Sequence, residues 1–134
     1  MELDKLAVAA KLENWTGATR EGRLDDVLSG HAKDAVIYDV LAPLQYQGVA
    51  DYRASWGDWQ PQTTGPGVFQ LEDMQITATS DTAFAFGLLR CGGTLLDGQA
   101  FEDVVRATFC LRKTDAGWQI VHQHISKPQQ QWHS

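Results

Sequence analysis

Four strand-like segments follow one another through the second half of the chain, over residues 68–79, 82–96, 100–113 and 118–126. Alternating apolar and polar residues mark each of them. Asp97-Gly98 and the run Thr114-Asp115-Ala116-Gly117 supply hairpin turns between neighbours. Strands in globular proteins average only about 5–6 residues. Segments this long twist as they run, so they predict a strongly bent antiparallel sheet rather than a flat one. The first segment shows where one bend falls. Phe69 and Leu71 lie on one face but Met74 and Ile76 on the other, so the phase slips near Glu72 and Asp73 and predicts a β-bulge.

The first half reads as helical. Leu3, Leu6 and Ala10, with Val8, Leu12, Trp15 and Thr19, recur at helical spacing as far as Gly22. Leu24, Val27, Leu28 and His31 give a second short helix ending near Gly30. Residues 35–39 (AVIYD) form a short strand, and a connection through Pro43 and Tyr46 leads to Gly48. A third helix is predicted over residues 50–59, with Tyr52, Trp56 and Trp59 stacked on one face. Pro61 and the Gly65-Pro66-Gly67 loop end it. Helices first and strands afterwards make an α+β domain. Three helices held by a bent sheet give a cone with a hollow interior.

At 134 residues the chain has the length of one domain, spanning 1–134 with its core at about 5–128. A domain of this size buries roughly two-thirds of its unfolded surface and needs no metal or disulfide to hold it. Asp and Glu number 17 against 11 Lys and Arg, a formal net charge of −6. That sign argues against nucleic acid and against anionic membrane surfaces as partners. Cys91 and Cys110 fall inside strand segments and read as buried small hydrophobes. The acid-bearing N-terminus lacks the apolar core of a signal peptide, and no apolar run reaches membrane-spanning length. A cytoplasmic location is expected.

Candidate chemistry comes from the strand faces. Phe84, Phe86, Leu88 and Arg90 share the bulky face of the second segment, where Arg90 needs a partner or an anionic ligand. Arg106, Thr108 and Cys110 share a face of the next segment. Trp118, Ile120, His122 and His124 share one in the last, an apolar face that turns polar at one end, as a pocket lining does. Tyr46, Trp56 and Trp59 are further lining candidates. Second roles stay open for most of them. The arginines suit ion pairs with Glu102 or Asp103, and the histidines suit hydrogen bonds to backbone carbonyls. His-x-His could also serve a metal, although no third ligand stands nearby, so no metal is assigned. The aromatic row of the third helix suits plain helix-to-sheet core.

No Ser-His-Asp set, phosphate loop or dinucleotide fingerprint is present, and no cofactor is implied. Neither cysteine has a histidine or cation at a spacing that would activate it. Asp39 is the most informative carboxylate. It ends a short apolar strand, where burial would raise its pKa toward the range of a general base. A cap or turn role ahead of Pro43 is its other reading.

Residues 22–39 (GRLDDVLSGHAKDAVIYD) resemble the helix-to-first-strand segment of ketosteroid isomerases and SnoaL-like proteins, and residues 44–53 (LQYQGVADYR) the segment after it. The closing run is the most specific. Arg106-Ala-Thr108, with Gly117-Trp-Gln-Ile-Val-His-Gln-His-Ile-Ser-Lys-Pro128, is similar to the ending of ketosteroid isomerase homologues, and a related ending occurs in the association domain of calcium/calmodulin-dependent kinases. The resemblance covers about residues 5–128 and implies the nuclear transport factor-like cone fold. It places Asp39 where the isomerases keep their proton-shuttling aspartate. Trp15 falls where they carry a hydrogen-bond-donating tyrosine, and Arg106-Ala-Thr108 falls where they carry a protonated acid. Steroid isomerisation is therefore not expected, since its oxyanion donors are missing.

Two functions remain open. In the first, a cofactor-independent enzyme uses Asp39 as base, with His122 as a second catalytic group. Its substrate's oxyanion or carboxylate is held by Arg90, Arg106, His122 or His124, and the reaction is proton transfer, cyclisation or dehydration. In the second, the same fold is a non-catalytic ligand-binding or assembly module. The resemblance implies a homodimer through the sheet in either case.

Overall fold

The computed structural model describes residues 2–55 and 63–129. Helix α1 (Glu2–Glu21) buries Val8, Leu12, Trp15 and Ala18 along one stripe and carries Glu2 and Asp4 in its first turn, where the helix dipole favours acids. It stops in a Schellman motif. Gly22 takes a left-handed φ of 71°, its N–H donates to Thr19 O, and the Arg23 N–H donates to Ala18 O. The short α2 (Leu24–Ser29) buries Val27 and Leu28. Strand β1 (His31–Tyr38) starts earlier than its apolar pattern suggested, and His31 belongs to it rather than to the helix before.

After β1 come β2 (Tyr46–Gln47), α3 (Val49–Ser55), β3 (Thr63–Ala78), β4 (Thr82–Leu95), β5 (Ala100–Thr114) and β6 (Gly117–Ser126). The part of the third helix expected beyond Ser55, including Trp56 and Trp59, lies outside the described residues. The six strands form one sheet in the order β2-β1-β6-β5-β4-β3. Only β1 and β6 run parallel, so the sheet is mixed. The Gly65–Gly67 stretch, expected as a loop, is strand. A register shift between Thr64 and Val68 takes up the surplus backbone, and β3 is an edge strand, where a proline breaks no inner ladder.

Two of the register shifts decide which side chains face inward. The β3–β4 register shifts between Glu72 and Gln75, opposite Leu88 and Phe86, and Asp73 takes a φ of 56° there. This is the phase slip read from the sequence. Gly87 sits opposite, and a Cβ on it would lie 2.5 Å from Met74 Sδ and 2.8 Å from Glu72 O. The second bulge, at Val121, appears as a shift between Cys110–His122 and Leu111–Ile120 pairing. It inverts the alternation of β6. Trp118 and Ile120 point inward, but so do Gln123 and Ile125, while His122 and His124 turn outward.

Helix α1 packs against β3 and β6 on the concave face of the sheet. That face is built of Ala83, Ala85, Leu89, Val105, Ala107, Phe109 and Leu111, all buried. On β4 the smaller residues Ala83 and Ala85 are the buried ones, so its bulky face is the outer one. Phe84, Phe86 and Leu88 are 46%, 43% and 37% exposed, so the face they share with Arg90 is not the pocket lining expected for Arg90. Cys91 and Cys110 are unpaired and half-buried rather than fully enclosed. No helix among the described residues is long and apolar enough to cross a membrane.

Replacing Gly87 by alanine should lower the unfolding free energy by about 1–3 kcal/mol, because the backbone of the bulge cannot move aside cheaply. Urea denaturation of the variant measures this directly.

Candidate active site

Where β1 ends, the chain leaves the sheet and carries Asp39 with it. The carboxylate is half-buried, and its Oδ1 accepts a hydrogen bond from the Val40 N–H at 2.7 Å. Burial pushes its pKa above the ordinary Asp value, against the weaker lowering by that hydrogen bond. Asp39 lines a cavity of about 100 Å³ between α1 and the concave sheet. Trp15 and Thr19 line it from α1, Tyr52 from α3, Phe69 from β3, Leu89 and Cys91 from β4, Val105 from β5, and Gln123 and Ile125 from β6. The Trp15 ring is fixed edge-on to Phe109 at 5.0 Å and tilted against Phe69 at 5.3 Å. Among the described lining residues there is no Lys, Arg or His.

Trp15 Nε1 and Thr19 Oγ1, on two of these residues, are buried without a hydrogen-bond partner among the described residues. The Cys91 thiol is pushed up in pKa, first by burial, then by the charges of Asp103 and Asp39, with Lys127 opposing. It therefore stays protonated and is no activated nucleophile. Gln123 is tied from behind. His31 Nε2 lies 2.9 Å from Gln123 Oε1, and His31 Nδ1 lies 2.9 Å from Val27 O. A carbonyl can only accept, so Nδ1 carries a proton. Burial holds the ring pKa below the ordinary His value, against the raising effect of both hydrogen bonds.

The other residues singled out from the sequence stand elsewhere. Tyr46 is buried on β2 edge-on to Tyr52 at 5.3 Å and is not part of the cavity lining. Arg90 lies on the outer face, where it pairs with Glu72 and Glu102, each at 2.5 Å. That is the ion-pair role, shared between two acids. Arg106 is exposed and donates from Nε to Ser126 Oγ at 3.2 Å. Thr108 is outward beside it, in register with His124. His122 Nδ1 bonds Val36 O at 2.7 Å, and Tyr38 packs edge-on to both His122 and His124. The Val121 bulge and the β4 and β5 parity thus put Arg90, Arg106, Thr108, His122 and His124 on the opposite side of the sheet from Asp39, which corrects their expected place in the pocket. Trp56 and Trp59 lie outside the described residues. Among the described residues no three His, Cys, Asp or Glu side chains gather as a metal site.

Sequence reasoning missed Thr19, Cys91 and Gln123. Ile125 gave the one available hint for Gln123, since it is out of phase with Ile120 and only a bulge can bury both. A wider groove of about 280 Å³ between α1 and α2 also borders Trp15, but its Arg23 is already held by Asp26 and Glu21.

The sequence model of the SnoaL-like domain matches residues 8–130. Among solved structures, the chain is similar to an NTF2-like protein of unknown function from Pseudomonas putida KT2440. The two are 30% identical over 96% of this chain and 89% of that one, with a TM-score of 0.85. A Salmonella enterica serovar Typhimurium protein of the nuclear transport factor 2-like superfamily gives 16% identity, 96% and 94% coverage, and a TM-score of 0.81. A ketosteroid isomerase-like protein from Erwinia carotovora atroseptica gives 16%, 95% and 98%, and 0.77. The last two likenesses establish fold alone. No curated protein matches the chain.

Because burial depresses the His31 pKa, the unfolded chain binds that proton more readily than the folded one. Stability should therefore fall as pH drops below about 6.5 and level off below the folded pKa. His31→Gln removes this contribution, so the difference between the urea midpoints of wild type and variant should shrink from pH 7.5 to pH 5.5.

Proposed function

The chain belongs to the SnoaL-like domain family, and from that premise we propose that its cavity binds a small organic molecule on which Asp39 acts as general base. One observation carries the reading. A carboxyl group with a raised pKa borders an apolar, half-open cavity, where most buried acids would be paired. The ionised carboxylate would accept a proton from the carbon beside a carbonyl, leaving an enolate. Returning the proton to another carbon completes an isomerisation. Expelling a β-hydroxyl, protonated to water as its C–O bond breaks, completes a dehydration. Attack of the enolate carbon on a second carbonyl of the same molecule closes a ring, and the alkoxide so formed takes the proton back from Asp39. None of these needs a cofactor. The lining of this cavity is mostly apolar, which suits the hydrocarbon body of a small organic molecule.

Exchange of the α-protons of small ketones in D2O, followed by NMR, tests the base directly. Asp39→Asn should lose about 10²–10⁴-fold of the wild-type rate. The wild-type rate should climb with pH to a plateau, with a midpoint above the ordinary Asp value of about 3.9. An unchanged rate in Asp39→Asn removes Asp39 as base. If ketones bind but wild type exchanges no faster than buffer, the non-catalytic binding module is the correct reading.

The outer sheet face supports a homodimer. Phe84, Phe86, Leu88 and Val104 are exposed there on adjacent strands. Phe86→Arg should convert a dimer to a monomer in analytical ultracentrifugation, and an already monomeric wild type rules the dimer out. Two unpaired cysteines suit a reducing, cytoplasmic setting.

A further inference from the structure

A second space adjoins the cavity that Asp39 borders. It is an open groove of about 280 Å³ between the last turn of α1, the first half of β3, the end of β4 and the start of β5. Thr19, Phe69 and Cys91 line both spaces, so the two meet across these three side chains. Gly65, Gly67 and Gly92 border the groove and leave bare backbone there. A Cβ on Gly92 would lie 2.3 Å from Phe101 O, so the close approach of β5 requires glycine at that position.

Among the described lining residues of the groove, Arg20 alone is charged. Its Nη1 donates to Phe69 O at 2.9 Å, which holds the guanidinium beside a residue common to both spaces. Arg23, Arg53 and Arg90 each pair with an acid. Arg20 has no carboxylate partner among the described residues, since the adjacent Glu21 pairs with Arg23 instead. A guanidinium offers five N–H donors in a planar fork, so its Nε and Nη2 side stays open to an anion with two oxygens.

We infer that the groove is an outer subsite for a carboxylate, held by Arg20, on a ligand whose carbonyl-bearing body occupies the inner cavity. The inference rests on that cavity being the ligand site proposed above and names the substrate class, an oxo acid charged at one end. Separation of charge favours it. Asp39 borders one space and Arg20 the other, and neither lines both. A carboxylate in the inner cavity would meet Asp39 and apolar walls, whereas in the groove it meets an exposed cation. Val68 and Phe69 offer apolar surface to the methylenes between the two ends. Arg20 also lies in the last turn of α1, at the negative end of the helix dipole. One guanidinium there balances one negative charge, which suits a carboxylate and not a dianionic phosphate.

Calorimetric titration of 4-oxopentanoate, 6-oxoheptanoate and 8-oxononanoate against 2-pentanone, 2-heptanone and 2-nonanone tests this. Each pair differs only in a carboxylate for the terminal methyl group. At one length at least, the acid should bind wild type about 5–20-fold tighter than its ketone. Added salt should weaken binding of that acid and not of its ketone. Arg20→Gln should abolish the preference and leave ketone affinity unchanged. Lys5→Gln, the same change of charge at another exposed position of α1, should keep the preference. Equal affinity of acid and ketone at every length overturns the inference, as does a preference that survives Arg20→Gln or is lost equally in Lys5→Gln. Ketones that bind and exchange their α-protons through Asp39, with no gain from the carboxylate, would sink the inference alone. An oxo acid held through Arg20 that exchanges no faster than in buffer would sink only the catalytic reading. Binding of neither series sinks both.

Discussion

The backbone bend at Asp73 and Gly87 governs the rest of the molecule. Asp73 adopts a left-handed conformation that aspartate tolerates better than most side chains, and the strand gains one residue on its neighbour there. Gly87 opposes the bulge because any Cβ would collide with Met74 and the Glu72 carbonyl. Long strands bent in this way can curl about α1 instead of passing beneath it. Inside the curl, the residues of β4 and β5 are chiefly alanine, valine and leucine, and the larger aromatics of β4 are left outside. The hollow that remains beside Trp15 is the difference between the curvature of the sheet and the girth of the helix.

Asp39 and His31 show what that hollow costs and how the cost is distributed. Both ends of β1 carry titratable groups held partly or wholly out of water, and both are pushed toward their neutral forms. His31 is sealed between Val27 and Gln123 and so links α2, β1 and β6 through one imidazole. Asp39, among the described residues, is held by the neighbouring backbone N–H. A fully satisfied buried group rigidifies its surroundings, whereas a half-satisfied one retains chemical capacity. The two groups also pull stability in opposite directions with pH, since neutralising Asp39 favours the fold while charging His31 opposes it.

Charge is sorted by the sheet. Arg90 and Arg106 stand on the convex side, Arg90 tied to Glu72 and Glu102 and Arg106 to Ser126. Exposed pairs of this kind contribute little to stability. Their consequence is negative: the concave side keeps its carboxyl group without a compensating cation among the described residues.

Much of this was legible in the residues. The Gly22 stop of α1, the slip at Glu72–Asp73, the Asp97-Gly98 turn and the helix-then-strand order each follow from local backbone preference and from periodicity, which nearby residues alone express. Asp39 at the end of an apolar strand was legible for the same reason. The face each strand turns inward was not. Periodicity says that Phe84, Phe86 and Leu88 share a side, but which side faces α1 depends on how closely the helix approaches, and that is settled by residues far away in sequence. The bulge at Val121 reversed the parity of β6 and exchanged His122 and His124 for Gln123, because one surplus residue moves every later side chain to the other face. The sequence by itself therefore determined the elements, their bends and the position of the carboxylate. Only the tertiary structure decided which side chains share a space with it, since that depends on long-range strand register and helix packing.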